Sequence, residues 1–189
     1  MIPFPNKKYR IIYADPPWQF SSKQPSGDLF SKKMFVSLDE QYVTQNNDWI
    51  KNLPVQKISK INSALFLWTT DAHLDVAIEV ISSWGFKYKT VGFVWKKETS
   101  QRKNACSMGF WTVKGCEICL IGSRGKVNSF IIDRTVRQLV EAERKKHSEK
   151  PNEVRKRIAQ MFGDVSKIEL FARKKYDGWD SWGDEIDEK

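Results

Sequence analysis

The chain has 189 residues, 40% of them hydrophobic, enough for one domain with a full core and too few for two ordinary ones. Lys and Arg number 32 against 23 Asp and Glu, and the net charge of +9 points to a polyanionic partner. No apolar run approaches the roughly 18 residues of a membrane-spanning helix. The opening Met1-Ile2-Pro3-Phe4-Pro5 lacks the charged start and apolar run of an export signal, so a cytoplasmic location is expected.

The apolar run Arg10 to Ala14 predicts a first strand, which stops abruptly at Asp15-Pro16-Pro17-Trp18. Residues 19–37 read as a polar loop, and Leu38 to about Lys51 as a helix. Ser63 to Thr69 is almost wholly apolar, as a strand covered on both faces requires. Asp71 is placed to cap a helix reaching about Trp84, with Leu74, Ala77, Ile78, Ile81 and Trp84 at helical spacing and Gly85 to end it. Tyr88 to Trp95 predicts a strand, residues 96–109 a long basic loop, and Cys116 to Ser123 another strand. Residues 126–150 are charged and give no clear element. Pro151 starts a helix to about Phe162, and Lys167 to Phe171 is a final strand. This alternation implies a single α/β domain over residues 1–189, with a mostly parallel, doubly wound sheet. In such sheets ligands bind beyond the carboxyl ends of strands, where both long loops lie.

The three cysteines are Cys106, Cys116 and Cys119. An odd count without an export signal argues against a disulfide framework. Cys116 and Cys119 sit three apart in a predicted strand and so point to opposite faces. No second pair completes a zinc site, and no metal is expected. Of the two histidines, His73 and His147, neither has an evident partner for general base work.

Asp15-Pro16-Pro17-Trp18 concentrates a carboxylate, stiffened backbone with two missing N–H donors, and a flat aromatic face within four residues. Such a set suits an amino group on a planar heterocycle, such as the N6 amine of adenine. Taken alone, the motif is better read as a strand ended by a proline turn. Basic residues interleaved with aromatics add to it: Lys96, Lys97, Arg102, Lys103 and Lys114 lie around a loop carrying Phe110 and Trp111, and fit phosphate contact with base stacking. A nucleic acid is therefore favoured over an acidic protein or a membrane surface.

Further motifs extend the pattern: Leu65-Phe66-Leu67-Trp68-Thr69, Trp95-Lys96-Lys97, Met108-Gly109-Phe110-Trp111-Thr112, Glu117, His147-Ser148-Glu149-Lys150-Pro151, Ile168-Glu169-Leu170-Phe171-Ala172-Arg173 and Gly178-Trp179-Asp180-Ser181-Trp182-Gly183. In this order, with Asp15-Pro16-Pro17-Trp18, they resemble the DPPW-type S-adenosylmethionine-dependent N6-adenine methyltransferases. This is the family of the eukaryotic messenger-RNA N6-methyladenosine writer. The compact length and C-terminal ending look more like its bacterial and phage branch. The resemblance implies a permuted Rossmann-like methyltransferase fold, with the catalytic motif early and part of the cofactor site C-terminal. It implies catalytic roles for Asp15, Pro16, Pro17 and Trp18: Asp15 and the Pro16 carbonyl accept the two N–H bonds of the amine, and Trp18 stacks on the base. It implies contacts to S-adenosylmethionine from Lys150, Phe171, Arg173, Asp184 and Glu185. Asp184 and Glu185 stand where the eukaryotic writer has Asn-Gln, so they can accept from ribose hydroxyls but not donate to adenine.

On the substrate side the implied residues are Phe35, Lys96, Lys97, Arg102, Lys103, Trp111 and Glu117. Phe35 replaces a family tyrosine. For Trp111 and Glu117, packing and an edge charge stand level with a place beside the target base. DNA is favoured over RNA as substrate, and the protein is expected to be a monomer or homodimer, with a further protein partner left open, in a bacterial or phage-infected cell. An RNA adenosine methyltransferase and a catalytically inactive nucleic-acid-binding subunit are the alternatives. No separate target-recognition domain is evident, so specificity is expected from the loops.

Overall fold

A computed structural model describes residues 3–18, 46–101, 103–109, 111–145, 149–184 and 186. Among them the strands are β1 (Tyr9–Ala14), β2 (Ser59–Thr69), β3 (Lys87–Glu98), β4 (Cys116–Arg124), β5 (Leu139–Glu143), β6 (Lys167–Leu170) and β7 (Asp180–Trp182). The helices are α1 (Asn47–Lys51), α2 (Val55–Ile58), α3 (Leu74–Ser83) and α4 (Asn152–Phe162). The strands form one sheet in the order β5-β3-β4-β2-β1-β6-β7. Every neighbouring pair is parallel except those of β4, which runs antiparallel to both β2 and β3.

Strand alternation divides the apolar residues between two cores. Ile12, Ala14, Leu65 and Leu67 pack with Ala77, Val80 and Ile81 of α3 and with Trp84. Ile11, Tyr13, Phe66 and Trp68 pack with Val154, Ile158 and Phe162 of α4. Those three α4 residues recur every fourth position, so one stripe faces the sheet, and burying each is worth about 1.5–3 kcal/mol. Burial on both faces explains the continuous apolar run of β2. The α/β sandwich expected from the sequence is thus present, mostly parallel and with helices on both sides.

Several boundaries differ from expectation. Of the helix expected over 38–51, the structure describes Asn47–Lys51, capped by the Asn46 side chain accepting from the Asp48 N–H; the remainder lies outside the described residues. Asp71 does not cap α3. It opens a short 3-10 turn, Asp71–His73, and its carboxylate accepts from the Ala72 N–H at 3.0 Å and from Lys114 at 2.9 Å. Gly85 ends the helical region as expected, with a φ of +79° that favours glycine. β3 runs through Lys96 and Lys97, because β5 pairs with it there: Lys96 opposes Glu141 and Lys97 opposes Ala142. β5 arises from the charged stretch that gave no clear element. β6 stops at Leu170, one residue earlier than expected, because Phe171 turns into the left-handed region with φ 60°. Cys116 is exposed and Cys119 buried, as strand alternation requires.

β1, β2, β3 and β6 all end at one edge of the sheet, and the antiparallel β4 begins there. That edge carries the candidate site.

Candidate active site

Asp15 follows the last residue of β1 directly. Its turn is fixed from within. The Trp18 N–H donates to the Pro16 carbonyl at 2.9 Å, leaving that oxygen one further lone pair for another donor. The Trp18 indole N–H donates to the Trp68 carbonyl at 3.1 Å, and its ring stacks on His73 with centroids 6.0 Å apart. His73 in turn meets the Thr70 hydroxyl through Nδ1 at 3.0 Å. Trp18, expected to stack on a base, is 5% exposed and packs with the core. Its apolar ring is satisfied in the core, where it anchors the turn.

Around Asp15 four charged groups alternate in sign. Lys150 Nζ lies 2.6 Å from Asp15 Oδ2 and 3.2 Å from Glu117 Oε2, and Lys97 Nζ lies 2.5 Å from Glu117 Oε1. The side chains of Lys150 and Glu117 are 7% and 9% exposed, whereas Asp15 keeps 28%. With Lys97 at 19%, Asp15 is the most exposed member of the set. Trp68 and Trp95 floor the group: Lys150 Nζ stands 5.7 Å from the Trp68 ring centroid and Lys97 Nζ 5.4 Å from that of Trp95.

Burial pushes the Asp15 carboxyl above the usual carboxylate range, and Glu117 adds to the rise; Lys150, and more weakly Arg173, oppose it without cancelling it. Burial also pushes Glu117 up, but Lys150 and Lys97 outweigh it and hold that carboxyl low. Lys150 is pulled down by burial and, more strongly, up by its two carboxylates, so it stays charged. The arrangement is a carboxylate of enhanced basicity beside a fixed, buried cation.

A second buried network holds this one in place. Arg155 of α4 grips Glu169 of β6 through both Nε (2.7 Å) and Nη2 (2.5 Å), and its Nη1 donates to the Lys150 carbonyl at 3.4 Å. Its guanidinium lies 5.0 Å from the Tyr13 ring centroid and 3.9 Å from that of Tyr176. Tyr13 accepts from the Trp68 indole N–H at 2.6 Å, closing a path from Arg155 to the floor beneath Lys150. In the sequence Arg155 reads only as one of a cluster of basic residues, Arg144 to Arg157, suited to phosphate contact, and its burial takes it out of that surface. The available signal was Glu169, a lone carboxylate inside the apolar Ile168-Glu169-Leu170 that requires a buried partner.

The remaining expected residues distribute as follows. Phe171, Arg173 and Asp184 follow the carboxyl ends of β6 and β7, on the Asp15 side of the sheet. Phe171 packs its ring against Trp49 and Trp182 at 6.3 and 5.6 Å, and Asp184 is exposed. Lys97 is a correction: expected as a phosphate contact in a loop, it sits within β3 and belongs to the charged set. Lys96 points away from that set, to Glu141 at 2.7 Å, so its charge is met locally. Lys103 is exposed, and Trp111 is 97% exposed, which excludes core packing for it. Glu117 is buried in the site and is no edge charge. Phe35, Arg102 and Glu185 lie outside the described residues.

A family model described as MT-A70 matches residues 9–185. The Type II methyltransferase M.MunI of Mycoplasma sp is 38% identical over 191 residues, spanning 96% of this chain and 79% of that protein. The N(6)-adenosine-methyltransferase subunit METTL3 of Danio rerio is 27% identical across 95% of this chain. The N(6)-adenosine-methyltransferase MT-A70-like of Arabidopsis thaliana is 25% identical across 94% of it. The chain spans 28% and 24% of the lengths of these two eukaryotic relatives.

Proposed function

Because this chain belongs to the MT-A70 family and is a methyltransferase of its bacterial branch, we propose that it methylates the N6 amine of adenine in DNA, with S-adenosylmethionine as methyl donor. The observation that carries the reading is the Asp15 carboxylate, held at a strand end with raised basicity and still partly open, beside the buried cation of Lys150.

The donor set fits this methyl donor. Lys150, held against Asp15, would face its methionine portion, Arg173 and the exposed Asp184 would meet its ribose, and Phe171 and Glu185 complete the residues that would hold it. When bound, S-adenosylmethionine supplies an electrophilic methyl on a sulfonium that departs as a neutral thioether. The N6 lone pair is delocalised into the purine ring and nucleophilic only when the amine is held pyramidal. Asp15 and the second lone pair of the Pro16 carbonyl accept its two N–H bonds and favour that geometry. As the nitrogen–methyl bond forms, the nitrogen becomes cationic and acidic, and Asp15 takes the proton. Lys150 keeps Asp15 anionic until then. Positioning contributes more than strong acid–base chemistry here.

Transfer of labelled methyl from S-adenosylmethionine to matched DNA and RNA oligonucleotides tests the proposal, with Asp15→Ala as control. Label on adenine N6 in DNA, lost in the variant, is the expected result. Label confined to RNA moves the substrate to the class named for the eukaryotic relatives. No label on either, with no binding of S-adenosylmethionine, leaves the motif a scaffold and refutes the reading.

A further inference from the structure

The segment joining β3 to β4 is a built flap rather than a loose loop. The N–H of Lys97 donates to the Gly115 carbonyl at 2.8 Å, that of Ala105 to Lys97 at 2.9 Å, and that of Thr99 to Lys103 at 2.8 Å. Ser107 and Lys114 exchange two backbone bonds of 2.8 Å, closing the base of a tip that carries Met108, Trp111 and Val113. Gly109 makes this turn possible, since a Cβ there would stand 2.6 Å from the Thr112 carbonyl oxygen. The base is clamped on both sides of the charged site. Lys97 holds Glu117 on one side, and Lys114 holds Asp71 on the other, two residues before the His73 that backs Trp18.

The tip points apolar side chains into solvent: Trp111 is 97% exposed, Met108 63% and Val113 61%. These are three of the seven exposed large hydrophobics among the described residues. A hairpin tied at its base that presents an exposed indole near the charged site is suited to a partner with a flat apolar surface. Charge selects the partner. Residues 99–115 contain Arg102, Lys103 and Lys114 and no acidic residue, and the whole chain carries +9, so a second copy would meet this flap with like charge. A polyanion with aromatic faces, the nucleic acid duplex, matches both properties.

An adenine paired inside a duplex cannot reach Asp15 unless it leaves the stack. We infer that Trp111 is the wedge for that step, entering the base stack beside the target adenine and occupying the space it vacates. The inference rests on the proposed activity and adds to it that the enzyme opens double-stranded DNA by itself.

The test compares methylation of a plasmid restriction fragment with methylation of its separated strands, for the wild-type protein, Trp111→Ala and Trp111→Phe. The ratio of duplex to single-strand kcat/KM is expected to fall about tenfold in Trp111→Ala, as the loss of one base–aromatic stack implies, and to stay near wild type in Trp111→Phe. Equal losses on both substrates overturn the wedge while leaving the activity intact, as does a wild-type enzyme confined to single strands. A wild-type dimer that Trp111→Ala dissociates in sedimentation assigns the tip to self-association instead and also overturns it. A wild-type protein that labels neither substrate refutes the activity, and the wedge with it.

Discussion

Replacing Lys150 by Met removes the cation that touches both buried carboxylates while keeping the length of the side chain. Asp15 and Glu117 are then left facing one another, at the positions where Lys150 Nζ stood 2.6 and 3.2 Å away. Removing one partner of a buried pair costs about 3–5 kcal/mol. Here Lys97 still holds Glu117 and Asp15 is 28% exposed, so the cost belongs near about 3 kcal/mol. For a chain of this length that is roughly 6–12 °C in Tm. In the Asp15→Asn background the same substitution costs less, because the stranded charge is already gone. The folded Lys150 is raised above 10.5, so its contribution is complete below that pH and is lost as pH rises through the folded value. The stabilities of wild type and Lys150→Met therefore converge above pH 10.5.

Activity reports the other side of the same contact. The folded Asp15 carboxyl lies above 3.8, so methyl transfer falls as pH drops through that raised value. Lys150 is the largest pull holding it down, and removing it moves the acid limb of the pH–rate profile to higher pH. Thermal melts across pH and a pH profile of kcat/KM check both statements. A variant of wild-type Tm, or an acid limb that stays in place or moves down, would refute the coupling of Lys150 to Asp15.

The Arg155–Glu169 pair yields a structural counterpart. Its side chains are 5% and 6% exposed, so Arg155→Leu strands a buried carboxylate and should lose about 3–5 kcal/mol in denaturant melts, while adding Glu169→Leu restores a large part. The basic surface predicts that DNA affinity falls steeply between low and physiological salt; binding that does not change over that range would remove phosphate contact from the account. With specificity resting on loops, methylation mapping should find a short recognition sequence or little preference, and a long strict site would contradict it.

The fold was largely legible because a doubly covered sheet writes itself as unbroken apolar runs. Ile11–Ala14 and the Ala64–Trp68 segment are buried throughout and carry no charged position, as neither face meets water. β5 escaped notice for the opposite reason. Leu139–Glu143 is an edge strand in which only Val140 is deeply buried, and its two glutamates merge with the charged stretch around it. Trp18 shows a different limit: an aromatic residue next to a catalytic motif reads alike whether its ring serves a ligand or the core, and only the contacts with His73 and Trp68 decide. The charged set was legible in part. Asp15 and Lys150 lie 135 positions apart, and no local pattern joins them; the family resemblance named both, but their pairing, and the place of Lys97 between them and the flap, required the fold.

One topological choice accounts for the site and its flap together. Nothing in Cys116–Arg124 announces its direction, since an apolar strand reads the same either way. Running antiparallel, β4 begins at the edge where β1, β2 and β3 end, and this delivers Glu117 to Lys150 within two residues of the strand start. It also lets β3 and β4 connect on that same edge without a crossover to the far end of the sheet. Had β4 been parallel, a crossover would have occupied the connection, Glu117 would lie at the opposite edge, and no hairpin could stand beside Asp15. The strand that departs from the parallel pattern is thus what supplies both a buried carboxylate partner for Lys150 and the hairpin connection that carries Trp111.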